Sequence, residues 1–368
     1  MRIGIDAHSI GSYKGGNETY TWNLVKELSL LDTDGDEYII YLTNGGTCDG
    51  LRSNGHFRQR HIRPAAAYLR IPIAFPLESR MRKLDVFHAQ YFLPPSLKCR
   101  SVLTVHDICF EHFPEFFTRS DNLRNRLMIP WSCRRADRII AVSEATRRDL
   151  VEIYGLDPER ISVIYEGAGE EYKPLDREVC RERLRTAYHI TEPFILYVGN
   201  LQPRKNLSRL LMAFGELKTK DRIPHKLVIV GKKAWLYDGI FETLRKQKLE
   251  DQVVLTGYVG AEDLPLFYNA TAFLVYPSIY EGFGLPVIEA MACGAPVITS
   301  CGSSLEEIGG GAAILVDPYS VSSIASAVEK LATDSDLQED LRRRSLANAS
   351  RFSFRKMAEE TQYAYHCA

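Results

Sequence analysis

The chain has 368 residues, of which 45% are apolar and 25% are charged, and its formal net charge is −1. This length exceeds one ordinary hydrophobic core and predicts two domains, while the balanced charge argues against a general nucleic-acid-binding protein. The eight cysteines are scattered without a CxxC pair or a Cys/His cluster, which favours reduced thiols in a cytoplasmic protein over a disulfide framework or a metal site.

In the first half of the chain, short apolar runs alternate with helical patterns. The opening run lacks the long apolar core of a signal peptide, and no run of 18 apolar residues predicts a membrane span. Helices are predicted at 18–31 and at 143–155, the second between an N-cap Ser143 and a terminating Gly155. Runs that are mostly rich in Val and Ile predict strands at 2–7, 38–43, 85–89, 101–107, 138–143 and 161–167.

The alternation restarts after a charged, proline-containing stretch at 170–194, which we interpret as an interdomain connection. A helix at about 336–344 completes the second half, and the segment after it offers an apolar face that needs a partner. Strands are predicted at 194–200, 226–232, 252–259, 272–278, 296–300 and 312–318.

Strand–helix alternation in both halves predicts an α/β protein with two doubly wound, Rossmann-like parallel sheets that face a cleft. We place the N-terminal domain at residues 1–172 and the C-terminal domain at residues 190–350. The last helix, at about 352–368, is expected to cross back and bury its apolar face on the first domain.

Two glycine-containing segments predict phosphate contacts, although neither GxGxxG nor GxxxxGK[ST] is present. Gly15 and Gly16 lie between the first strand and the first helix, where backbone N–H groups can approach a ligand; a surface turn explains them equally well. Arg204 and Lys205 follow Gly199 between a strand and a helix, as an anion clamp would. The alternative for this pair is two solvated charges.

A third segment, YEGFGLPVIEAMACGAPVI at 280–298, contains two acids eight residues apart. Glu281 is predicted on the loop after a strand, and Glu289 about one turn into the next helix. A carboxylate accepts hydrogen bonds from sugar hydroxyls well, and the backbone N–H groups of Phe283, Gly284 and Leu285 can face an anion. The alternative is a pair of acids near a helix start with no ligand.

These motifs resemble the signature of glycosyltransferase family 4, which has the two-domain GT-B architecture, and the similarity covers nearly the whole chain. Glu281 and Glu289 match the E-x7-E pair of the family, GNLQPRKNL matches its phosphate clamp, and VVLTGYV, with Tyr258, matches its base-contacting strand. The segments IGIDAHSIGSYKGGNETYTWNL and LTVHDICFEHFPEFF resemble the mannosyltransferases of lipopolysaccharide O-antigen synthesis.

Two positions depart from the family pattern. Glu18 and Thr19 stand before Tyr20 where an Arg-Tyr pair is common, which bears on the contacts to the acceptor. Glu166 replaces a usual Asn, and we expect this change to affect only the interdomain turn.

The resemblance implies a retaining glycosyltransferase that moves a hexose, mannose from GDP-mannose, onto a lipid-linked glycan. The donor would bind mainly to the C-terminal domain, with Glu289 on the ribose and Glu281 on the sugar hydroxyls. Arg204 and Lys205 would neutralise the departing diphosphate in place of a metal ion. His106, in TVHD at the end of a strand, matches a family position near the donor sugar; a structural histidine is the alternative.

No cofactor or metal is expected. The DxD triplets, at 32–36 and 334–336, fall in polar turns away from the carboxyl end of any predicted strand. We also expect no nucleic-acid partner.

A basic stretch in the first half predicts a membrane partner. Residues 50–148 contain 18 Lys and Arg against 8 Asp and Glu, a local excess of ten in a nearly neutral chain. Apolar residues such as Ile71, Ile73, Phe75 and Leu77 are interleaved with these charges. We therefore expect peripheral binding to an anionic membrane surface; a solvated basic surface is the alternative.

Two other functions stay open. One is transfer from another nucleotide sugar, a UDP-hexose or dTDP-rhamnose. The other is a non-catalytic sugar-binding protein, which would normally carry an export signal and would have no use for a cation pair beside two acids.

Overall fold

The structure is a computed structural model that describes residues 1–12, 15–33, 35–43, 45–48, 50–51, 55–232 and 238–368. These residues form two units. Unit 1 comprises Met1–Glu166 and Ser353–Ala368, and unit 2 comprises Gly167–Phe352. A parallel sheet forms the centre of each unit, and helices connect its strands.

Unit 1 contains a seven-stranded sheet. Its strands are β1 (Arg2–Asp6), β2 (Glu37–Leu42), β3 (Phe57–His61), β4 (Val86–Gln90), β5 (Arg100–Val105), β6 (Arg138–Ala141) and β7 (Ile161–Val163), in the spatial order β3-β2-β1-β4-β5-β6-β7. Ile3 pairs with Tyr38 on one side and with Val86 on the other. The strand order therefore reverses between β1 and β4, and ligands of such sheets bind at the carboxyl ends beside that point.

Six helices precede the crossing into unit 2: α1 (Gly16–Leu30), α2 (Ala67–Leu69), α3 (Phe75–Met81), α4 (Cys109–His112), α5 (Arg119–Arg135) and α6 (Glu144–Tyr154). The predicted boundaries of α6 are confirmed. Ser143 accepts a hydrogen bond from the Thr146 N–H at 3.1 Å, and Gly155 ends the helix with a positive φ of 63°. One turn of π-helix, Arg70–Ala74, joins α2 to α3.

Unit 2 contains a six-stranded sheet. Its strands are β8 (Phe194–Val198), β9 (Lys226–Val230), β10 (Val253–Gly257), β11 (Leu274–Tyr276), β12 (Val297–Ser300) and β13 (Ala313–Val316), in the order β10-β9-β8-β11-β12-β13. Its helices are α7 (Arg177–Tyr188), α8 (Leu207–Thr219), α9 (Asp238–Lys246), α10 (Leu264–Ala270), α11 (Leu285–Ala292), α12 (Ser304–Gly309), α13 (Val321–Thr333) and α14 (Ser335–Ala349). The strand order reverses between β8 and β11, where Leu196 pairs with Leu274.

The stretch at 170–194, interpreted from sequence as an interdomain connection, contains helix α7 and belongs to unit 2. The Tyr188 hydroxyl donates to Asp263 at 2.7 Å, and its ring lies edge-on to Phe267 on α10 at 4.9 Å. Charged residues dominate α7 because only one side of the helix, including Cys180 and Leu184, is buried.

The chain returns to unit 1 through α15 (Phe354–Cys367), which packs against α1. The Tyr365 hydroxyl hydrogen-bonds His88 Nδ1 at 2.7 Å, and His366 lies 3.0 Å from Asp36. Met357 and Tyr365 are fully buried. The predicted return of the last helix is confirmed. Its apolar face is buried at Phe354, Met357 and Tyr365, whereas Tyr363, also expected on that face, is 72% exposed.

The predicted α/β class with two doubly wound sheets is confirmed, and each predicted strand is present. Strand β3 was not predicted. It lies at the sheet edge, where its residues FRQRH are mostly half-buried or exposed, so that no apolar run marks it. In the described part of the chain, no helix is long and apolar enough to cross a membrane.

Candidate functional site

Arg204, Lys205 and Glu281 come together at the carboxyl edge of the sheet in unit 2. Arg204 and Lys205 lie in a 3₁₀ turn after β8, and Glu281 lies in the loop after β11. Because β8 and β11 are neighbours at the point where the strand order reverses, both loops lie where doubly wound sheets bind ligands. The sequence predicted these three residues as one site, and the structure places them in contact.

Glu281 is buried and uses both carboxylate oxygens. Lys205 Nζ donates to its Oε1 at 2.6 Å, and Arg204 Nη1 donates to its Oε2 at 2.9 Å. The Tyr276 hydroxyl at 3.0 Å and the Ser278 hydroxyl at 2.5 Å also donate to Oε1. Two cations therefore share one carboxylate, and these three side chains carry a net positive charge.

The electrostatic environment keeps Glu281 ionised. Burial alone would raise the pKa of Glu281, but the nearby charges of Arg204 and Lys205 and its hydrogen bonds lower the pKa from 4.5 to about 2. Burial raises the pKa of Tyr276 well above its usual value, so the phenol remains a neutral donor.

The loop between Glu281 and α11 requires a glycine. Gly284 has a φ of 110°, and a Cβ there would lie 2.5 Å from Leu305 Cδ2. Phe283 is buried, and its ring meets Phe352 edge-on at 5.9 Å. Leu285 begins α11; the second residue, Pro286, has no N–H, and the Val287 N–H donates to the Gly284 carbonyl at 2.9 Å. The predicted segment thus places a helix N-terminus directly after Glu281.

Glu289 has hydrogen-bond partners different from those of Glu281. It lies on α11, is buried, and accepts a hydrogen bond from the Tyr268 hydroxyl at 2.7 Å. The ring of Tyr172 lies edge-on to Tyr268 at 5.8 Å. Burial raises the pKa of Tyr268 well above its usual value, so Tyr268 donates and Glu289 accepts. The two acids therefore have different neighbours and can hold different parts of a ligand.

Gly199 directly follows β8, and Tyr258 directly follows β10 of the same sheet. The Gly199 N–H donates to the Val230 carbonyl at 2.9 Å, and a Cβ on Gly231 would overlap the Gly199 carbonyl. These glycines let the loops after β8 and β9 touch. Tyr258 follows β10, is 61% exposed, and has Lys232 Nζ 4.1 Å from its ring centre. An exposed aromatic ring beside a cation suits stacking against a base.

His106 lies in unit 1, after β5, and both of its ring nitrogens have protein partners. Nδ1 is 3.1 Å from Glu166 Oε1, and Nε2 is 3.0 Å from Gln90 Oε1. Glu166, expected to affect only the interdomain turn, is therefore a buried partner of His106. The edge of the Tyr20 ring meets the imidazole at 4.7 Å.

The predicted glycine loop also lies in unit 1. Gly15 precedes α1 with a φ of 75°, and Gly16 is its first residue; both are exposed. Glu18, which departs from the family pattern, accepts a hydrogen bond from the Gly11 N–H at 2.8 Å. The hydrogen bond from Gly11 to Glu18 therefore connects α1 to the loop after β1.

The DxD triplets have structural roles where they are described. Asp36 pairs with the Met1 amino group at 2.6 Å, and Asp334 caps α14 by accepting from the Leu337 N–H at 2.9 Å. Asp34 lies outside the described residues. Within the described ranges, no group of three or more His, Cys, Asp and Glu is placed to hold a metal ion.

Sequence patterns missed the residues that hold the predicted ones in place. Tyr276 and Tyr268 belong to apolar segments and resemble core residues, and Gln90 ends a buried strand. Each contacts a residue more than four positions away along the chain. Tyr276 reaches Glu281 through the bend of the loop after β11, whereas the other two contacts depend on how the elements pack in three dimensions.

Comparisons with known proteins agree with this architecture. Residues 14–171 match the family model described as Glycosyltransferase Family 4, and residues 181–347 match Glycosyl transferases group 1. The chain is 31% identical over 280 residues to O-antigen chain mannosyltransferase B of Escherichia coli, an alignment that covers 76% of this chain and 74% of that protein. The chain belongs to glycosyltransferase family 4.

The fold of this glycosyltransferase is also found in solved structures. Sucrose-phosphate synthase from Thermosynechococcus elongatus aligns with a TM-score of 0.80 at 20% identity, covering all of this chain and 98% of the other. HepE of Anabaena, solved in complex with UDP and glucose, aligns with a TM-score of 0.77 at 20% identity and covers both chains fully. The family 4 glycosyltransferase therefore has the GT-B fold.

Proposed function

We propose that this glycosyltransferase transfers mannose from GDP-mannose, with retention of anomeric configuration, onto a lipid-linked glycan of a bacterial surface polysaccharide of the O-antigen type. The contact of Arg204 and Lys205 with Glu281 at the ligand-binding edge of unit 2 supports the transfer chemistry. The 31% identity to an O-antigen chain mannosyltransferase supports the sugar and the product.

In this proposal, unit 2 holds the donor. The diphosphate binds to Arg204 and Lys205 and to the backbone N–H groups of Phe283, Gly284 and Leu285, because the N-terminal end of a helix favours anions. Glu281 binds the hydroxyls of the transferred sugar, and Glu289, held by Tyr268, binds the ribose. Tyr258 stacks on the base. Gly199 keeps the backbone after β8 close to the donor.

The cation pair supplies the main catalytic effect in this proposal. Negative charge grows on the leaving diphosphate as its bond to the sugar breaks, and preorganised cations stabilise that charge most in the transition state. Both Glu281 oxygens already accept hydrogen bonds from cations, which favours sugar binding over nucleophilic attack. The acceptor hydroxyl would attack from the face that the diphosphate leaves and pass its proton to the diphosphate.

The acceptor is proposed to bind to unit 1 and to be attached to a lipid. No metal is proposed to take part, because Arg204 and Lys205 supply the positive charge that a metal would otherwise bring. Activity should therefore survive an excess of chelator. Complete loss in EDTA that magnesium or manganese restores would reject this part of the proposal.

Thermal shift against nucleoside diphosphates tests the donor. A ligand that binds only the native state stabilises it by about 2.7 kcal/mol at 100 times its Kd. We expect GDP to raise the melting temperature more than UDP or dTDP, and Arg204→Ala to remove most of the shift. A larger shift with UDP or dTDP would assign the alternative donors. No shift with any of the three would favour the non-catalytic sugar-binding alternative.

A further inference from the structure

Unit 1 contains a cavity of about 410 Å³ beside the carboxyl end of β1. Its polar lining includes His8, Ser12, Thr43 and Arg70, and its remaining lining is small or apolar. The volume lies in the usual range for small-molecule sites. None of the four polar residues belongs to the donor site proposed above.

Arg70 is a buried cation without a close counter-ion. Only 5% of the residue is exposed, and its Nη1 donates to the Ala65 carbonyl at 2.6 Å. Its Nε is buried without a hydrogen-bond partner, and in the described part of the chain no carboxylate lies within ion-pair distance. Burying a guanidinium in this way is unfavourable unless an anion completes the site.

Two acids lie close to this cavity, and both accept hydrogen bonds from the protein: Glu18 accepts from the Gly11 N–H at 2.8 Å, and Asp6 accepts from His8. Asp6 accepts from His8 Nδ1 at 2.9 Å and from the His8 N–H at 3.2 Å. Burial alone would raise the pKa of Asp6, but His8 and Arg70 lower it. With Nδ1 held by Asp6, His8 is left with Nε2 for a ligand, and Arg70 supplies a cation to the cavity lining.

The helical segment that carries Arg70 has an apolar outer face. Arg70 begins the π-helical turn between α2 and α3 and lies inside, whereas Tyr68, Ile73, Leu77 and Met81 are between 49% and 78% exposed. One segment therefore offers a buried cation on one side and an exposed apolar stripe on the other. A phosphate joined to a hydrocarbon chain matches both surfaces.

We propose that this cavity binds a phosphate group of a lipid acceptor, with Arg70 and His8 on the phosphate and the apolar stripe along its hydrocarbon chain. The assignment rests on the proposed function only in calling the ligand an acceptor. Binding can be measured without any transfer of sugar.

Isothermal titration calorimetry with the full chain tests the site, with nucleoside diphosphate present in excess so that Arg204 and Lys205 are occupied. The probes are geranyl phosphate, glucose 6-phosphate and geraniol. Arg70→Met removes the buried charge at similar volume. Arg148→Met, an exposed cation on α6 of the same unit, is the matched control.

We expect geranyl phosphate to bind the parent and Arg148→Met alike. It should bind Arg70→Met at least about tenfold more weakly, because one hydrogen bond to a charged group is lost. Geraniol should bind far more weakly than geranyl phosphate. Tighter binding of glucose 6-phosphate than of geranyl phosphate would overturn the proposal that the phosphate belongs to a lipid. Equal affinity of Arg70→Met and the parent, or no binding of either phosphate, would overturn the site.

A second variant covers the case in which Arg70→Met fails to fold. His8→Phe removes the other ligand group and should weaken geranyl phosphate roughly fivefold, the loss of one neutral hydrogen bond. Unchanged affinity in this variant would count against the site. Failure of the donor assignment would instead appear in the GDP titration of the parent, which does not involve this cavity.

Discussion

Glu281 lies buried between Arg204 and Lys205, so its charge bears on the stability of unit 2 as well as on any ligand. From the sequence, Glu281 is recognised only as one of two acids eight residues apart. The structure adds that its negative charge is what allows two cations to be nearly buried at the edge of the sheet. Removing one partner of a buried ion pair leaves an uncompensated charge, which is strongly destabilising.

Replacing Glu281 with Gln should lower the free energy of unfolding at pH 7 by about 3 kcal/mol, the equivalent of a pKa lowered from 4.5 to about 2. Because the folded-state pKa is lowered, this contribution is fully present above pH 4.5 and is lost as the pH falls toward 2. Urea unfolding at pH 7 and pH 3.5 measures it, with the exposed Glu250→Gln as control. A difference from the parent that is the same at both pH values would contradict the assignment.

Arg204→Ala or Lys205→Ala should lower turnover about 10²-fold or more, because each variant lacks one cation that stabilises the departing diphosphate. Steady-state assays with nucleotide-sugar donor measure this, and Lys220→Ala, an exposed cation of the same unit, should be neutral. Parent-like turnover in either site variant would remove that residue from the mechanism.

His106 and Glu166 are expected to act as one unit. Residues in direct contact usually show coupling of about 0.5–3 kcal/mol, and these two are 3.1 Å apart and buried. We expect His106→Ala and Glu166→Gln each to lower kcat/KM roughly tenfold and the double variant to lose little more. Glu159→Gln, exposed in the same unit, is the control. Additive losses would show that the contact has no functional role.

Among the elements, α15 makes a buried polar contact with the sheet of its own unit. Burial, with a smaller effect from His106, lowers the pKa of His88 to about 3, so its imidazole is neutral, and its Nδ1 shares a hydrogen bond with the Tyr365 hydroxyl at 2.7 Å. Thr104 Oγ1 lies 2.8 Å from Nε2. The last helix is therefore attached through the centre of the sheet as well as through its apolar face.

Tyr365→Phe should lower the free energy of unfolding by about 1–3 kcal/mol, because it leaves His88 Nδ1 buried without a partner. Tyr363→Phe, on the exposed side of the same helix at 72% exposure, should change it little. Denaturant unfolding followed by circular dichroism compares the two. Equal stability of both variants would mean that water or a neighbouring group replaces the lost bond.

The elements also show what sequence patterns can predict. The buried strands of both sheets are marked by Val and Ile runs, and α6 by its Ser143 and Gly155 boundaries, because these signals are local. The edge strand β3 lacks an apolar run because it faces water. The contact of His106 with Glu166 joins residues 60 positions apart. It depends on the order of β5, β6 and β7, which local patterns do not specify.

At the scale of the whole molecule, the basic charge of residues 50–148 lies within unit 1. The structure shows which of the interleaved apolar residues are exposed and can contact a membrane beside these charges. Phe75 is buried in the core, whereas Ile73, Leu77 and Met81 are exposed on one side of the same helical segment. The expected membrane face is therefore a stripe on α3 and the turn before it, rather than all the interleaved residues.

This face is predicted to bind anionic vesicles through Arg80, Arg82 and Lys83, with the apolar stripe entering the interface. Each cation near an anionic surface contributes about 1 kcal/mol, so neutralising all three should weaken binding by roughly 30- to 150-fold. Arg82 also lies 3.6 Å from Glu78, which places the loss toward the lower end. Sedimentation with phosphatidylglycerol vesicles at low and high salt measures the binding.

The control variant neutralises Arg181, Arg183 and Arg185 on α7. It removes the same charge from unit 2 and should leave binding unchanged. Equal loss in both triple variants would mean that only net charge matters, and no sedimentation at low salt would rule out a membrane role for this surface.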